Sequence, residues 1–359
     1  MMKELRMRRV CTLLLAGIFA SSLQAEDSGF AGRQVCASCH AEQARLQAGS
    51  GHFGALSKPG EHPLARQFET AESLVRAPGF EFRVVASEYE LAVEAAFGDM
   101  ARRSVVDWAF GAGDQAVTFV SQVDDQWYLE HYWTFYSTTG RYGPTPGHQM
   151  TEADDLGQAL GVMYRTLSPQ TEILRCFRCH STGPIALGEG FAIEPSEQGV
   201  QCEACHGPGA EHAALATAGK LDSSRPAIAN PGKLAPDALL EACGQCHRPP
   251  AQQPSEIDYR DPWNVRHQPL YLVRSACYGE SGSLTCMSCH DPHAALVRDD
   301  AAHYDAGCKS CHTSETACGA GKTANCAGCH MPKVEPQEGL RFTNHWIGVF
   351  PAGEAYLPR

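Results

Sequence analysis

Fourteen of the seventeen cysteines share one spacing, Cys-x-x-Cys, and a histidine follows directly each time. The first four copies are Cys36-Cys39-His40, Cys176-Cys179-His180, Cys202-Cys205-His206 and Cys243-Cys246-His247. The last three are Cys286-Cys289-His290, Cys308-Cys311-His312 and Cys326-Cys329-His330. The cysteine pairs alone would also suit zinc or a redox dithiol, but neither chemistry needs histidine in the fifth place. Histidine is 16 of 359 residues, so seven chance hits have odds of roughly one in a billion, and the pentapeptide is the attachment signature of c-type haem. The spacing has a physical reason. Cysteines at i and i+3 point the same way on a helical turn and reach the two haem vinyl groups. Histidine at i+4 shares that face and places a ring nitrogen on the iron. Seven covalently attached haem c groups are therefore expected, with His40, His180, His206, His247, His290, His312 and His330 as proximal ligands.

The elements that position these sites divide unevenly along the chain. No attachment motif lies between His40 and Cys176, whereas six sites crowd into residues 176–330. That density is about 26 residues per haem, below the roughly 40 residues that a side-chain core needs. Haem itself must be the core there, joined by Pro/Gly-rich connections such as Gly207-Pro208-Gly209 and Arg248-Pro249-Pro250. In the gap, Leu91, Val93 and Ala95 alternate with polar or small residues from Tyr89 onward, and Val106, Trp108 and Phe110 do the same. Val117 to Val123, a turn at Asp124-Asp125-Gln126, and Trp127 to Phe135 read as a hairpin. Leu156, Leu160, Met163, Tyr164 and Leu167 have helical spacing, with Thr151 as a cap. The expected fold is mainly α with much irregular structure, organised around stacked covalent haems, with a small antiparallel β insertion at about residues 80–136. The expected divisions are a signal peptide (1–25), a first haem-binding segment (26–79), a β-rich insertion (80–150) and a six-haem cytochrome domain (151–359).

The leader reading rests on Lys3, Arg6, Arg8 and Arg9, the short apolar run Val10 to Ala20, and small Ala25 before Glu26. The run is too short to span a bilayer. Cys11 would leave with the leader, and no later stretch reaches the length of a membrane span. A periplasmic location and a mature chain without a membrane span are expected, in keeping with haem attachment outside the cytoplasm. The net charge of −12 becomes more negative once the basic leader is lost, and it offers no footprint for nucleic acid.

Nine histidines lie outside the motifs. His293 follows a proximal ligand by three residues, so it cannot reach the far side of its own haem but can ligate a neighbour. His212, beyond the Gly-Pro-Gly turn, can do the same, while His345 can fold back and His52 trails the first site. These four and His148 are the expected distal ligands, with His131 a possible one. The alternative for each is a surface, core or propionate-bonding histidine. His62, His267 and His303 sit in polar or proline-flanked contexts and read as non-ligands. Cys277 and Cys318 are the mature cysteines left over, and a bridge between them would clamp the last three sites.

Three segments carry a family resemblance: Gly199-Val-Gln-Cys-Glu-Ala-Cys-His-Gly-Pro-Gly-Ala-Glu-His212, Leu284-Thr-Cys-Met-Ser-Cys-His-Asp-Pro-His293, and Cys326 to Lys333 followed by Phe342-Thr-Asn-His-Trp346. They resemble periplasmic multihaem c-type cytochromes related to the tetrahaem cytochrome of ammonia oxidation, pentahaem nitrite reductase and octahaem hydroxylamine oxidoreductase. The resemblance spans residues 30–60 and 140–350. It implies that His212, His293 and His345 are distal ligands and that the haems stack in near-parallel and perpendicular pairs. Two features of the relatives are missing: there is no Cys-x-x-Cys-Lys motif, and no residue matches the tyrosine crosslinked to a catalytic haem.

The expected function is a seven-haem cytochrome carrying electrons between redox partners through mostly bis-histidine haems. The partners would be other cytochromes, a quinol dehydrogenase or a terminal reductase. The alternative is a multihaem oxidoreductase with one open haem acting on a small nitrogen or sulfur oxyanion, near Arg141, Tyr142, His131 and His148. Intact mass spectrometry should find seven haems on the exported chain, and alanine at both cysteines of one site should remove one of them. A mass short of seven haems would refute the count.

Overall fold

In the computed structural model, residues 29–359 are described apart from 70–73, 78, 88–89, 149–152, 169–171, 223, 225–226, 314–317 and 320. The leader, Cys11, Tyr89 and Thr151 lie outside the described residues.

The alternating patterns of the gap do form strands, and more of them than expected. In chain order they are β1 (Leu56–Ser57), β2 (Leu74–Ala77), β3 (Phe80–Ala86), β4 (Leu91–Phe97), β5 (Met100–Val105), β6 (Trp108–Phe110), β7 (Ala116–Asp124), β8 (Trp127–His131), β9 (Trp133–Tyr136), β10 (Arg141–Pro144) and β11 (Gly161–Arg165). Four more follow among the haem sites: β12 (Ser181–Leu187), β13 (Ile193–Gln198), β14 (Lys333–Gln337) and β15 (Leu340–Thr343). The chain is therefore not mainly α, which corrects the expected fold class. The α-helices are mostly one or two turns long, and the longest described, Pro236–His247, has 12 residues.

Two antiparallel sheets form the β unit. One runs β2-β3-β4-β5; the other runs β1-β6-β7-β8-β11, with β9 and β10 attached beside β7. β7 is long enough to pair with β8 through Val120 to Asp124 and with β9 through Ala116 and Val117, because the partner strand breaks at Tyr132. The hairpin turn needs a left-handed residue, which Gln126 supplies at φ 66°. The period of two then sorts the side chains. Val117, Phe119 and Leu129 face Phe82, Val84 and Val93 of the other sheet. Val120, Tyr128, Trp108 and Phe110 face the opposite way, onto Ile173, Phe177 and Ile193 beside the second attachment site. The larger sheet is thus buried on both faces.

The helix expected to continue to Leu167 stops early. Asp155 caps Leu156–Leu160 by accepting from the Gln158 N–H, and the chain then turns at Gly161 into β11, which pairs with β8. Pairing an open sheet edge outweighed the helical spacing of Met163 and Tyr164.

A third apolar cluster joins Val265, Leu270 and Tyr271 to Val334, Phe342 and Trp346. It ties the chain end to the middle of the haem region.

Phe119 is 1% exposed between the sheets and touches Phe68 at 5.0 Å between ring centroids. Phe119→Ala should cost about 3–5 kcal/mol, read as a lower denaturation midpoint with the haem absorbance unchanged. A loss under about 1 kcal/mol would show that this face is not a packed core.

Candidate haem sites

Each attachment motif sits on a helical turn, as its spacing requires. Cys36 lies in the helix Arg33–Cys39, Cys176 in Leu174–His180 and Cys202 in Cys202–His206. Cys243 and Cys246 end Pro236–His247, Cys286 opens a 3₁₀ turn, Cys308 ends Ala301–Lys309 and Cys326 opens Cys326–His330. The bonds His40 N–H to Cys36 O (2.9 Å), His290 N–H to Cys286 O (3.0 Å) and His312 N–H to Cys308 O (2.9 Å) close the turns that bring histidine under the two thiols.

Four proximal rings face a second imidazole from a remote segment. Ring centroids are 6.4 Å apart for His40 and His212, 6.1 Å for His52 and His247, 6.1 Å for His206 and His293, and 6.3 Å for His290 and His345. These spacings match the geometry of two ligands sharing one metal. A metal–imidazole bond is about 2 Å and the nitrogen lies about 1 Å from its ring centre, so two imidazoles that held one metal between them would have centroids about 6 Å apart. The described residues thus fit haem iron at these four places. The other ring nitrogen is held in several sites: Nδ1 of His180, His206, His330 and His345 hydrogen-bonds to the carbonyl oxygens of Ala55 (2.9 Å), Ala229 (2.9 Å), Gly348 (2.8 Å) and Thr343 (2.9 Å). A proton fixed on Nδ1 leaves Nε2 as the ligating atom. Burial lowers the pKa of His345 to about 4 and also lowers those of His180, His247 and His290, which favours the neutral, ligating form.

The other candidates are engaged differently. His131 is fully buried; its Nε2 meets Ser121 Oγ at 2.7 Å and burial lowers its pKa to about 3. It shares the face of Leu129 and points into the sandwich, so Glu130, one residue before it, takes the opposite face. His148 Nε2 lies 3.1 Å from Glu130 Oε2. His62 uses both nitrogens, with the Gly111 carbonyl at 3.0 Å and the Leu64 N–H at 3.0 Å. Arg141 and Tyr142 lie on β10, and the Tyr142 hydroxyl donates to the Phe68 carbonyl. The expected Cys277–Cys318 bridge is not formed: Cys277 is a free thiol near the attachment cysteines Cys289 and Cys311.

The attachment cysteines also show which sites touch. Cys36 lies beside Cys202, Cys246 beside Cys179, Cys243 beside Cys286, and Cys308 beside Cys326. Cys205 lies beside Cys243, and Cys289 beside Cys308. Gly307 permits the last of these approaches, because a Cβ there would meet Ser288 O at 3.1 Å and Cys289 Sγ at 3.2 Å.

Two buried carboxylates, both missed in the sequence, fix neighbouring sites. Glu203, inside the third motif, accepts from the N–H groups of Ala31 (2.8 Å), Gly32 (2.8 Å) and Gly209 (2.7 Å) and pins the first haem helix to the third. Asp305 accepts from Asn325 N–H and Cys326 N–H, both at 2.7 Å, and joins the sixth site to the seventh. Being inside a motif or a helix, neither residue carries a sequence signal of its own.

Repeated attachment turns and paired imidazoles resemble those of the multihaem c-type cytochrome class. Known proteins agree with that class. Residues 148–207 match the family described as cytochrome c554 and c-prime. The multiheme cytochrome MtrA of Shewanella baltica (strain OS185) is 26% identical over 176 residues, 44% of this chain and 45% of that protein. The match thus spans less than half of that relative's length. The crystal structure of the outer cell wall cytochrome OcwA shares the fold at TM-score 0.51 and 14% identity, over 89% of this chain and 79% of that one. No helix among the described residues is long and apolar enough to cross a membrane.

Burial alone would raise the Asp305 carboxyl, but the Cys326 and Asn325 N–H groups outweigh it and hold it below its ordinary value. A carboxyl depressed in the folded state stabilises fully above the unfolded value, about 3.9, and loses that contribution as pH falls through its folded value. Asp305→Asn should therefore flatten the acid limb of the stability curve below about pH 4. An acid limb identical to wild type would overturn this role.

Proposed function

We propose that this chain is a seven-haem electron carrier of the periplasm or cell exterior. Four of its irons would be closed by two imidazoles each: His40 with His212, His206 with His293, His247 with His52, and His290 with His345. The observation that carries this reading is the set of four ring pairs at 6.1–6.4 Å, each joining a motif histidine to one far away in the chain. An iron that keeps both imidazoles in both oxidation states rearranges little, which favours fast one-electron exchange. When bound, the haems supply the redox chemistry, and the chain's part is to ligate, space and shield them.

The neighbouring cysteines support an order of the sites. They run from the first (Cys36) through the third (Cys202) and fourth (Cys243) to the fifth (Cys286), sixth (Cys308) and seventh (Cys326). The second site, at Cys179, branches from the fourth at Cys246. The row has two ends, suited to two different partners: other cytochromes, a quinol dehydrogenase or a terminal reductase. The net charge of −12 favours partners with basic docking faces and makes association weaken with salt. The placement named for the outer cell wall relative supports a location outside the cytoplasm.

The test is ligand replacement. His293→Ala should leave the haem count intact, convert one low-spin ferric signal to high-spin, and add one carbon monoxide-binding haem to the reduced protein. His303→Ala should change neither. If His293→Ala leaves the spectra of the ferric and carbonmonoxy proteins unchanged, His293 is not a ligand and the pairing fails.

A further inference from the structure

The seventh attachment turn leads into the hairpin of β14 and β15, and the hairpin brings the chain back beside the turn it left. The returning segment, residues 343–348, is a strap between two haem sites. It is tied to the seventh site near both of its ends. The Asn344 N–H donates to the Pro332 carbonyl (2.9 Å), the Gly348 N–H donates to the His330 carbonyl (3.1 Å), and the Gly348 carbonyl bonds to His330 Nδ1 (2.8 Å). Between those ties the strap carries His345, whose ring faces His290 of the fifth site. Two buried side chains hold it in place. Asn344, 0% exposed, donates through Nδ2 to the carbonyls of Ala355 (2.8 Å) and Tyr356 (3.1 Å), and its Oδ1 accepts from the Trp346 N–H (2.9 Å). The Ser275 hydroxyl donates to the His345 carbonyl (3.1 Å) and accepts from the Ile347 N–H (2.7 Å). Among the described residues the strap makes no hydrogen bond to the sixth motif, although Cys308 of that motif lies beside both Cys289 and Cys326.

We infer that this strap is a positioning element shared by two sites: Asn344 and Ser275 set the His345 ring for the fifth site and the Gly348 carbonyl for the seventh, so the two sites keep or lose their geometry together. The inference rests on the proposed ring pair of His290 with His345 and on haem at the seventh motif. Its physical basis is the shortness of the strap. Gly348 follows His345 by three residues, about 10 Å of extended chain, so a displacement at one is not absorbed before it reaches the other. The supports leave little slack. Removing the Asn344 amide takes the donors from two carbonyls and the acceptor from the Trp346 N–H, at a place closed to water. The two sites depend on the strap differently. At the fifth it supplies an imidazole, so loosening frees a coordination position. At the seventh it supplies the carbonyl that bonds His330 Nδ1; that bond makes the imidazole a stronger ligand and favours the ferric state. Asn344 and Ser275 act only through these groups and are positioning residues.

The test is Asn344→Ala in the holoprotein, read in two ways. Carbon monoxide uptake by the reduced protein should rise by one haem, as it should in His345→Ala. In a potentiometric titration two steps should move. One is the step that His345→Ala moves. The other rises by about tenfold in its equilibrium constant, or 59 mV for one electron, and is missing from a chain in which Cys326 and Cys329 are replaced by alanine. The haem count and the remaining steps should match wild type. Ser275→Ala should give the same pair of changes, and Ser275→Thr, which keeps the hydroxyl, should give neither. A change at the fifth site alone overturns the sharing, and no change at either site overturns the strap's role altogether. Changes that extend to every step, in Asn344→Ala and Ser275→Ala alike, mean general loosening and overturn it too. If Asn344→Ala sheds haem, the two Ser275 variants decide by the same criteria. All of these outcomes leave the electron-carrier reading in place. A His345→Ala protein that takes up no carbon monoxide instead refutes the proposed ring pairing, and the inference falls with it.

Discussion

Two imidazoles facing each other across about 6 Å are the constraint on which the haem region depends. Each described pair joins segments far apart in sequence: His52 near the start of the chain reaches His247, and His345 near its end reaches His290. Short helices could not hold these distances alone, because one or two turns bury too little surface to orient anything. The bonds around them do so. Nδ1–carbonyl contacts set the rings of His206 and His345, and the buried carboxylates of Glu203 and Asp305 lock the backbone of neighbouring sites together. The chain thereby aligns the rings that a cofactor would share.

The β unit solves a different problem. A sheet with two apolar faces needs two partners. One face of the larger sheet meets the smaller sheet through Phe119 and Leu129; the other meets Phe177, which lies inside the second attachment motif. Trp108 and Phe110 meet the Phe177 ring edge-on at 5.4 and 5.1 Å. The sheet is therefore fastened to a haem turn by ordinary packing, and its polar rows of Thr118, Glu130 and Thr145 are brought to that site by the same alternation.

Much of this was legible in the residues. The Cys-x-x-Cys-His turns follow from local spacing, and the four histidines found in ring pairs are among those singled out by position relative to the motifs. The hairpin at Asp124 to Gln126 follows from alternation broken by a polar turn. What escaped reading depends on contacts across the fold. β11 has helical spacing but is drawn into a strand by the open edge of β8. His131 and Glu130 differ by one residue, and only the register of β8 against β7 decides which one faces the second attachment site. Glu203 and Asp305 act on N–H groups of remote segments, which no local pattern reveals.

The crossing of the ring pairs also constrains how the chain comes to be assembled. A polypeptide made from its amino end presents His40 long before His212, and His206 long before His293. Each early ring waits for its partner until a later stretch arrives, and the ring of His290 waits for that of His345. Truncation near that end therefore strikes the middle of the row as well as its tip. A chain cut short of Asn344 would have every attachment turn in place and still lack the ring that faces His290.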